Sequence, residues 1–281
     1  MIREIVLEKL RGVEIKHPRY LFTLHQGRFR CLPLFAPKTV ERAERFQPVP
    51  DAGGRYTTTN RTLDEALGGG FRRGSFNLIE TAEGVPRGGV DVLLVPLRLN
   101  FLAKGYHVFT VPAYHLNAEE VMGRLAPYVD GEAQKLVQIA DADRERKEPY
   151  MIKFRGESAL EDFQLFSDRI SKSAASDGEP ILIDVGYETI EHLYPADELT
   201  LKRLVAEEAV GARTRGSLTI RHCRSNQKIL APCEANADIH IKMRVIDGSL
   251  CIYGVKPWTQ VFHIDTDVSK GYPMIEVTPV E

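Results

Sequence analysis

A chain of 281 residues, 43% hydrophobic and 27% charged, is long enough to bury a sizeable core as one large domain or as a domain with an appendage. Its formal net charge of -2 gives no global attraction to nucleic acid, so such contact would need a local basic patch. No apolar run approaches the roughly 18 residues of a membrane span, the opening MIREIVLEKLRG is too charged for a signal peptide, and Cys31, Cys223, Cys233 and Cys251 show no C-x-x-C pairing. These features predict a cytoplasmic protein with reduced thiols, no metal site and no membrane partner.

In chain order, residues 1–35 alternate as strands: Ile5, Leu7 and Leu10, then 20–24, then 29–34 after a Gln26-Gly27 turn. Residues 36–56 hold Pro37, Pro48, Pro50 and the pair Gly53-Gly54 among charges, the composition of a linker. From Thr57 onward strands and helices alternate. Asn60 or Thr59 caps a short helix through Leu67, ended by Gly68-Gly69-Gly70. A strand over 75–80 leads into a glycine-rich loop, and 90–104 is a helix with Leu93, Leu94, Leu97 and Phe101 at helical spacing.

Further on, a strand over 106–111 leads through Asn117 into a helix near 118–128, and a strand over 136–140 follows. A helix near 157–173, a wholly apolar strand over 181–185, a helix near 197–211 and a strand over 217–221 complete the alternation. The tail from Ile239 is strand-rich, with hairpin signals at Asp247-Gly248 and Lys270-Gly271. Alternating strands and helices predict an α/β fold, a mostly parallel sheet covered on both faces. Antiparallel C-terminal hairpins extend one edge, and an N-terminal β-hairpin unit stands before it. The expected division is a β unit over 1–35, a linker over 36–56 and an α/β domain over 57–281.

The loop between the 75–80 strand and the 90–104 helix reads GVPRGGVD (84–91). It has the spacing of a phosphate loop, G-x-x-x-x-G-K-[ST], in which backbone amides wrap the phosphates, a lysine reaches the outer ones and a hydroxyl holds magnesium. Gly84 and Gly89 fall on the pattern, with Gly88 and Arg87 between them, but Val90 stands at the lysine position and Asp91 at the hydroxyl position. In open α/β sheets ligands sit at the carboxyl ends of strands, where this loop lies.

The run Leu63-Asp64-x-x-Leu67-Gly68-Gly69-Gly70-Phe71-x-x-Gly74-Ser75, followed by GVPRGGVD, resembles the entrance and Walker A loop of the KaiC-like and RadA-like branch of the RecA superfamily. The tail ADIHIKMRVIDGSLCIYGVKPWTQ (237–260) is similar to the closing hairpins of those domains. The resemblance covers most of 55–281 and implies a RecA-like fold that binds ATP with magnesium and assembles side by side with RecA-like subunits in homo- or hetero-oligomers.

Departures from the pattern carry the functional expectation. Val90 cannot neutralise a phosphate, and Asp91 would set a carboxylate beside one, where two like charges about 4 Å apart repel by about 4 kcal/mol at an effective dielectric near 20. After the 106–111 strand, where the family keeps its catalytic carboxylates, stand Pro112-Ala113-Tyr114-His115, with no acid until Glu119 and Glu120. Those two suit the first turn of a helix. Asp184, closing the run Ile181-Leu182-Ile183-Asp184, reads equally as a Walker B relic or as a structural cap. Together these losses imply a pseudo-ATPase: no catalytic residue, no cofactor, and ATP/Mg only if the loop at Gly84, Arg87, Gly88 and Gly89, with Asp184, still binds.

Two other stretches are candidates. Leu7-Glu8-Lys9-Leu10-Arg11-Gly12 resembles the K-x-R-G finger motif that neighbours in this branch present to a nucleotide, which makes Lys9 and Arg11 trans-acting candidates. Residues 1–35 also resemble the tail hairpins of this same chain, as if they closed a preceding domain; a common hairpin pattern is the alternative. Arg221, Arg224 and Lys228, within Arg221-His222-Cys223-Arg224-Ser225-Asn226-Gln227-Lys228, lie where recombinases place a DNA-contacting loop. No aromatic residues interleave them for base stacking, so an interface loop is the competing reading. The expectation is a regulatory or assembly subunit acting through protein contacts; a single-stranded nucleic-acid-binding paralogue and a residual ATP binder are the alternatives.

Overall fold

Alternate residues of the central strands enter two separate cores, and that alternation sets the architecture. Phe76 and Leu78 pack in one cluster and Ile79 in the other; Phe109 and Val108 divide in the same way, as do Ile183 and Leu182. Successive strand side chains point to opposite faces, so helices cover both. The computed structural model describes residues 2–113, 116–142 and 148–281.

The N-terminal unit is a three-stranded antiparallel sheet of β1 (Glu4–Val6), β2 (Arg19–Thr23) and β3 (Arg30–Cys31). A two-residue pair, β4 (Arg55–Tyr56) and β5 (Phe71–Arg72), brackets helix α1 (Arg61–Ala66). The main sheet contains β6 (Phe76–Thr81), β7 (His107–Val111), β8 (Val137–Asp141), β9 (Met151–Lys153), β10 (Ile181–Gly186), β11 (Leu218–Arg224), β12 (Ile239–Ile246), β13 (Ser249–Lys256), β14 (Phe262–Asp267) and β15 (Met274–Pro279). Its order is β15-β14-β13-β12-β6-β11-β10-β7-β8-β9. The pairs from β12 through β6 to β9 are parallel and those from β12 to β15 antiparallel. This α/β arrangement fits a RecA-like fold.

One face carries α2 (Asp91–Ala103), α3 (Ala118–Gly123) and α4 (Gly131–Gln134). The other carries α5 (Ala159–Asp177), α6 (Tyr187–Leu193), α7 (Glu198–Arg215) and α8 (Leu230–Asn236). Asn60 caps α1 by accepting from Leu63 N, and Asn117 with Glu120 forms a capping box on α3. Asp247-Gly248 turns β12 into β13, and Lys270-Gly271 lies between β14 and β15. Strand β9 and helices α6 and α8 were not expected from the sequence.

The LD-x-x-LGGG run is a folded unit in itself. Asp64 accepts from Thr57 Oγ1 at 2.5 Å and Thr58 N at 2.7 Å, while its carbonyl accepts from Gly69 N and Gly70 N. Gly70 has φ +90°, and a Cβ there would lie 2.5 Å from the Tyr56 carbonyl oxygen, so glycine is required.

Residues 2–35 pack on the closing hairpins of the same chain. Leu21 and Leu32 share a small core with Cys251 and Val280. Leu24 N donates to Glu281 O and Phe35 N to Gly248 O. The segment 36–56 is extended but docked: Phe46 is buried against Tyr272, and Asn100 accepts from Val49 N at 2.8 Å.

Candidate functional site

β6 ends at Thr81, and the chain reaches α2 through the loop 82–90, at the carboxyl ends of the parallel strands. Val85 and Val90 are buried in the core beneath it. A Cβ on Gly89 would fall 2.8 Å from Val85 Cγ1 and 3.1 Å from Pro86 O, so this glycine serves close packing within the loop.

Where the loop's amides point decides what it can hold. A phosphate loop turns a row of N–H groups outward onto the anion. Here Val85 N, Gly89 N and Asp91 N are already taken by the carbonyls of Ala82, Pro86 and Gly88 in turns of the loop itself, at 3.2, 2.9 and 3.0 Å, and Pro86 has no N–H to offer. Gly84 and Arg87 are exposed and Gly88 is half-buried. A pocket above the loop, lined by Arg87, Glu188, His222 and Arg224, has about 30 Å³ of free space, the scale of a water molecule or two.

Beneath the loop lies a chain of charges. Asp184 is fully buried on β10, and Arg98 of α2 is only 2% exposed. Arg98 Nε donates to Asp184 Oδ2 at 3.0 Å and Nη2 to Oδ1 at 2.5 Å, while Thr110 Oγ1 donates to Oδ1 at 2.8 Å. The third nitrogen, Nη1, stands 4.0 Å from Asp91 Oδ1, and Asp91 pairs with Arg124 on its other oxygen. Burial alone would depress the Arg98 pKa, but Asp184, by charge and hydrogen bond, holds it above the usual arginine value.

The guanidinium of Arg98 therefore binds the residue at the Walker B position and comes within 4.0 Å of the residue at the Walker A hydroxyl position, which Arg124 holds. In an active relative a magnesium ion works between those positions. Asp184 is accordingly neither a strand-end cap nor an available metal ligand: both carboxylate oxygens are engaged by a resident cation. A nucleotide with its magnesium does not fit this donor set. Its lysine is replaced by a core valine, its hydroxyl by an acid paired with Arg124, and the amides of Val85, Gly89 and Asp91 are taken up by turns within the loop.

Arg98 was missed in the sequence, though a signal existed. Asp91 and Arg98 are two helical turns apart on a helix whose only other polar residue is Asn100, and an arginine buried that way needs a buried acid. Glu119 is an exposed first-turn residue of α3, and Glu120 accepts from Asn117 N in the capping box. Tyr114 and His115 lie outside the described residues.

The basic stretch from Arg221 requires correction. β11 runs on through Arg224, so Arg221 lies inside the sheet and not on a loop. It is 1% exposed, its Nη2 lies 2.6 Å from Glu208 Oε1 and its Nε donates to Glu208 Oε2 at 2.9 Å. The guanidinium also lies over the rings of Phe76 and Tyr187. With all three guanidinium nitrogens engaged by protein and the side chain 1% exposed, Arg221 is not placed to meet a nucleic-acid phosphate. Arg224 is partly buried and pairs with Glu188 at 3.3 Å; the exposed Lys228 pairs with Glu198 at 3.2 Å. The fold thus sets acids against the basic stretch.

Lys9 and Arg11 are both exposed beside a turn at Gly12. Glu80, Glu234 and His240 bring potential metal-ligand atoms within 4.8 Å of one another, which no sequence spacing announced. Lys242 Nζ, 2.9 Å from Glu80 Oε2, already supplies a cation there.

Over an alignment covering 98% of this chain and 58% of the relative, the sequence is 24% identical to Protein GvpD2 of Halobacterium salinarum. It is 31% identical over 113 residues to Protein GvpD1 of the same organism, covering 39% of this chain and 21% of that protein. The chain is homologous to GvpD proteins. It spans little more than half the length of GvpD2, and no protein-family model matches it. Among the described residues, no helix is long and apolar enough to cross a membrane.

Proposed function

We propose that this chain is a non-catalytic RecA-like subunit, a regulator or assembly component that acts through protein contacts, in the gas-vesicle setting of its GvpD relatives. The observation that carries the reading is the buried pair of Arg98 with Asp184, with Asp91 4.0 Å from the same guanidinium. A cation fixed in the covalent structure occupies the position where a RecA-type ATPase uses an exchangeable one, so the scaffold holds together without nucleotide.

Retaining the sheet while losing the outward-facing loop moves function to the surfaces. The partners proposed are RecA-like subunits, in homo- or hetero-oligomers. Lys9 and Arg11, both exposed, are the basic groups this reading offers to a neighbour's nucleotide site, as an arginine finger is. Replacing both with alanine is expected to lower the ATPase rate of an active partner.

Phosphate release from Mg-ATP tests the catalytic half of the proposal. Wild type and Asp184→Asn are expected to give the same background rate. Turnover by the wild-type chain that is saturable in ATP would overturn the reading.

A further inference from the structure

Residues 2–17, which form β1 and the connection to β2, include no buried residue, yet they hold Ile2, Val6, Leu10 and Val13, each between 40% and 65% exposed. Of the thirteen exposed large hydrophobic side chains among the described residues, seven lie in residues 2–34. Scattered apolar exposure is ordinary, but grouped exposure marks a contact surface.

Backbone pairing fixes this segment in place. Glu4, Ile5 and Val6 pair with Leu21, Tyr20 and Arg19, Phe22 N donates to Arg3 O at 3.1 Å, and Leu7 N donates to Pro18 O at 2.7 Å. β1 is an edge strand in the order β1-β2-β3, and the residues that anchor the unit to the body, Leu21 and Leu32, lie on β2 and just beyond β3. Residues 2–17 therefore stand at the outer edge of the unit, largely in solvent.

Cations are interleaved with the apolar side chains. Arg3 follows Ile2, Arg19 lies directly across from Val6, Lys9 and Arg11 flank Leu10, and Arg11 stands two residues before Val13. Among the described residues the ion pairs of the N-terminal unit are His25 with Glu281 and Arg30 with Glu276, which leaves Arg3, Lys16 and Arg19 uncompensated. Residues 1–35 hold seven of the 37 Lys/Arg but three of the 39 Asp/Glu, an excess of four positive charges in a chain whose total is -2. The remainder carries an excess of six negative charges, so the molecule is basic at this unit and acidic elsewhere.

That pattern selects the partner. The core of a protein interface is depleted of charge, with polar groups at the rim, and a nucleic-acid strand is held by flat rings on which bases stack. Here the exposed side chains of 2–17 are aliphatic and a cation stands beside each. Such a mixture suits the boundary of an anionic bilayer, where aliphatic groups dip below the headgroups while Lys and Arg run their stems alongside and keep their charges at the phosphates. The acidic remainder is repelled by the same surface, which orients the basic unit toward it.

We infer that residues 2–17 dock this chain on an anionic lipid surface, Leu10 and Val13 supplying apolar contact and Arg3, Lys16 and Arg19 meeting the headgroups. Binding of this kind lies on the membrane and needs no spanning helix. It goes beyond the protein-contact reading and does not rest on it.

Flotation of the 281-residue chain with lipid vesicles tests the inference. Binding is expected to vesicles of phosphatidylcholine and phosphatidylglycerol in equal parts, to be lost on pure phosphatidylcholine, and to weaken as salt is raised. Arg3→Ala/Lys16→Ala is expected to bind about 25-fold more weakly, at about fivefold for each cation removed. Leu10→Ser/Val13→Ser, which removes apolar contact and no charge, is expected to bind about tenfold more weakly. All four positions are exposed, so both variants should keep the wild-type urea midpoint, and each leaves Lys9 and Arg11 in place. No binding to the anionic vesicles, equal binding to both kinds, or wild-type affinity in Leu10→Ser/Val13→Ser would each overturn the inference. Retention on an oligonucleotide in place of the vesicles would assign the cations to another polyanion and overturn it as well. None of these outcomes touches the Mg-ATP result, so failure here is distinguishable from failure of the non-catalytic reading.

Discussion

Arg98 and Asp184 form a two-point buried ion pair, Nε to Oδ2 at 3.0 Å and Nη2 to Oδ1 at 2.5 Å, joining the helix after the loop to the strand that would carry a Walker B acid. Both side chains are almost wholly removed from water. Breaking a buried pair by removing one partner costs about 3–5 kcal/mol, because the survivor is left charged and unpaired. Arg98→Met and Asp184→Asn are each expected to lose stability on that scale, read from denaturant midpoints. Arg98→Met combined with Asp184→Leu should cost less than either single change plus the other. Additive losses would mean the two groups do not interact.

Restoring the letters of the phosphate loop is not expected to restore its chemistry. In a Val90→Lys/Asp91→Ser variant the amides of Val85 and Gly89 still donate to carbonyls within the loop, and Arg98 still holds Asp184. The new lysine would replace a side chain that is 7% exposed, so the variant is expected to lose about 1–3 kcal/mol of stability. Its melting temperature should not respond to Mg-ATP. A nucleotide-dependent rise would show that the two substitutions alone had disabled the site.

Arg221 and its neighbours should separate by burial. Arg221→Ala leaves Glu208 without its partner and is expected to cost about 3–5 kcal/mol. Arg224→Ala and Lys228→Ala, at partly exposed pairs, should each cost about 0–1 kcal/mol. Salt-dependent retention on single-stranded DNA that is lost in a folded Arg224→Ala/Lys228→Ala variant would revive the nucleic-acid reading.

Glu80 gives a pH signature. Burial alone would raise its pKa, but hydrogen bonds from Lys242, Ser225 and His240, with the Lys242 charge, outweigh it and hold the carboxyl below the ordinary glutamate value. A depressed folded pKa means the unfolded chain binds the proton more readily. This contribution is therefore complete above the unfolded value of about 4.3 and is lost as pH falls through the lower folded value. Glu80→Gln should flatten that part of the stability profile between pH 5 and 3, measured by urea unfolding; an unchanged slope would contradict the assignment.

Local signals in the sequence were enough for much of the fold. Asn60 and Asn117 announced their helices by capping chemistry, Asp247-Gly248 and Lys270-Gly271 marked the hairpins, and apolar spacing placed α2 within a residue at each end. The misses share a cause. β9 is three residues long with only Ile152 buried, too short for periodicity to register. β11 was cut short at Arg221 because a charged residue reads as a strand end, whereas Glu208 on α7 makes its burial possible. Asp184 was legible as a candidate and its meaning was not, since the partner that decides it lies 86 positions away and only the packing of α2 on the sheet brings the two together.

The central claim is that Arg98 has taken the place of the exchangeable cation and that the loop above it no longer binds nucleotide. Titration of millimolar Mg-ATP into the wild-type chain, followed by thermal unfolding, tests it most directly. A ligand that binds only the folded state stabilises it by about 2.7 kcal/mol at a hundred times its Kd. The account predicts a melting temperature independent of Mg-ATP. A rise that grows with nucleotide concentration would contradict it.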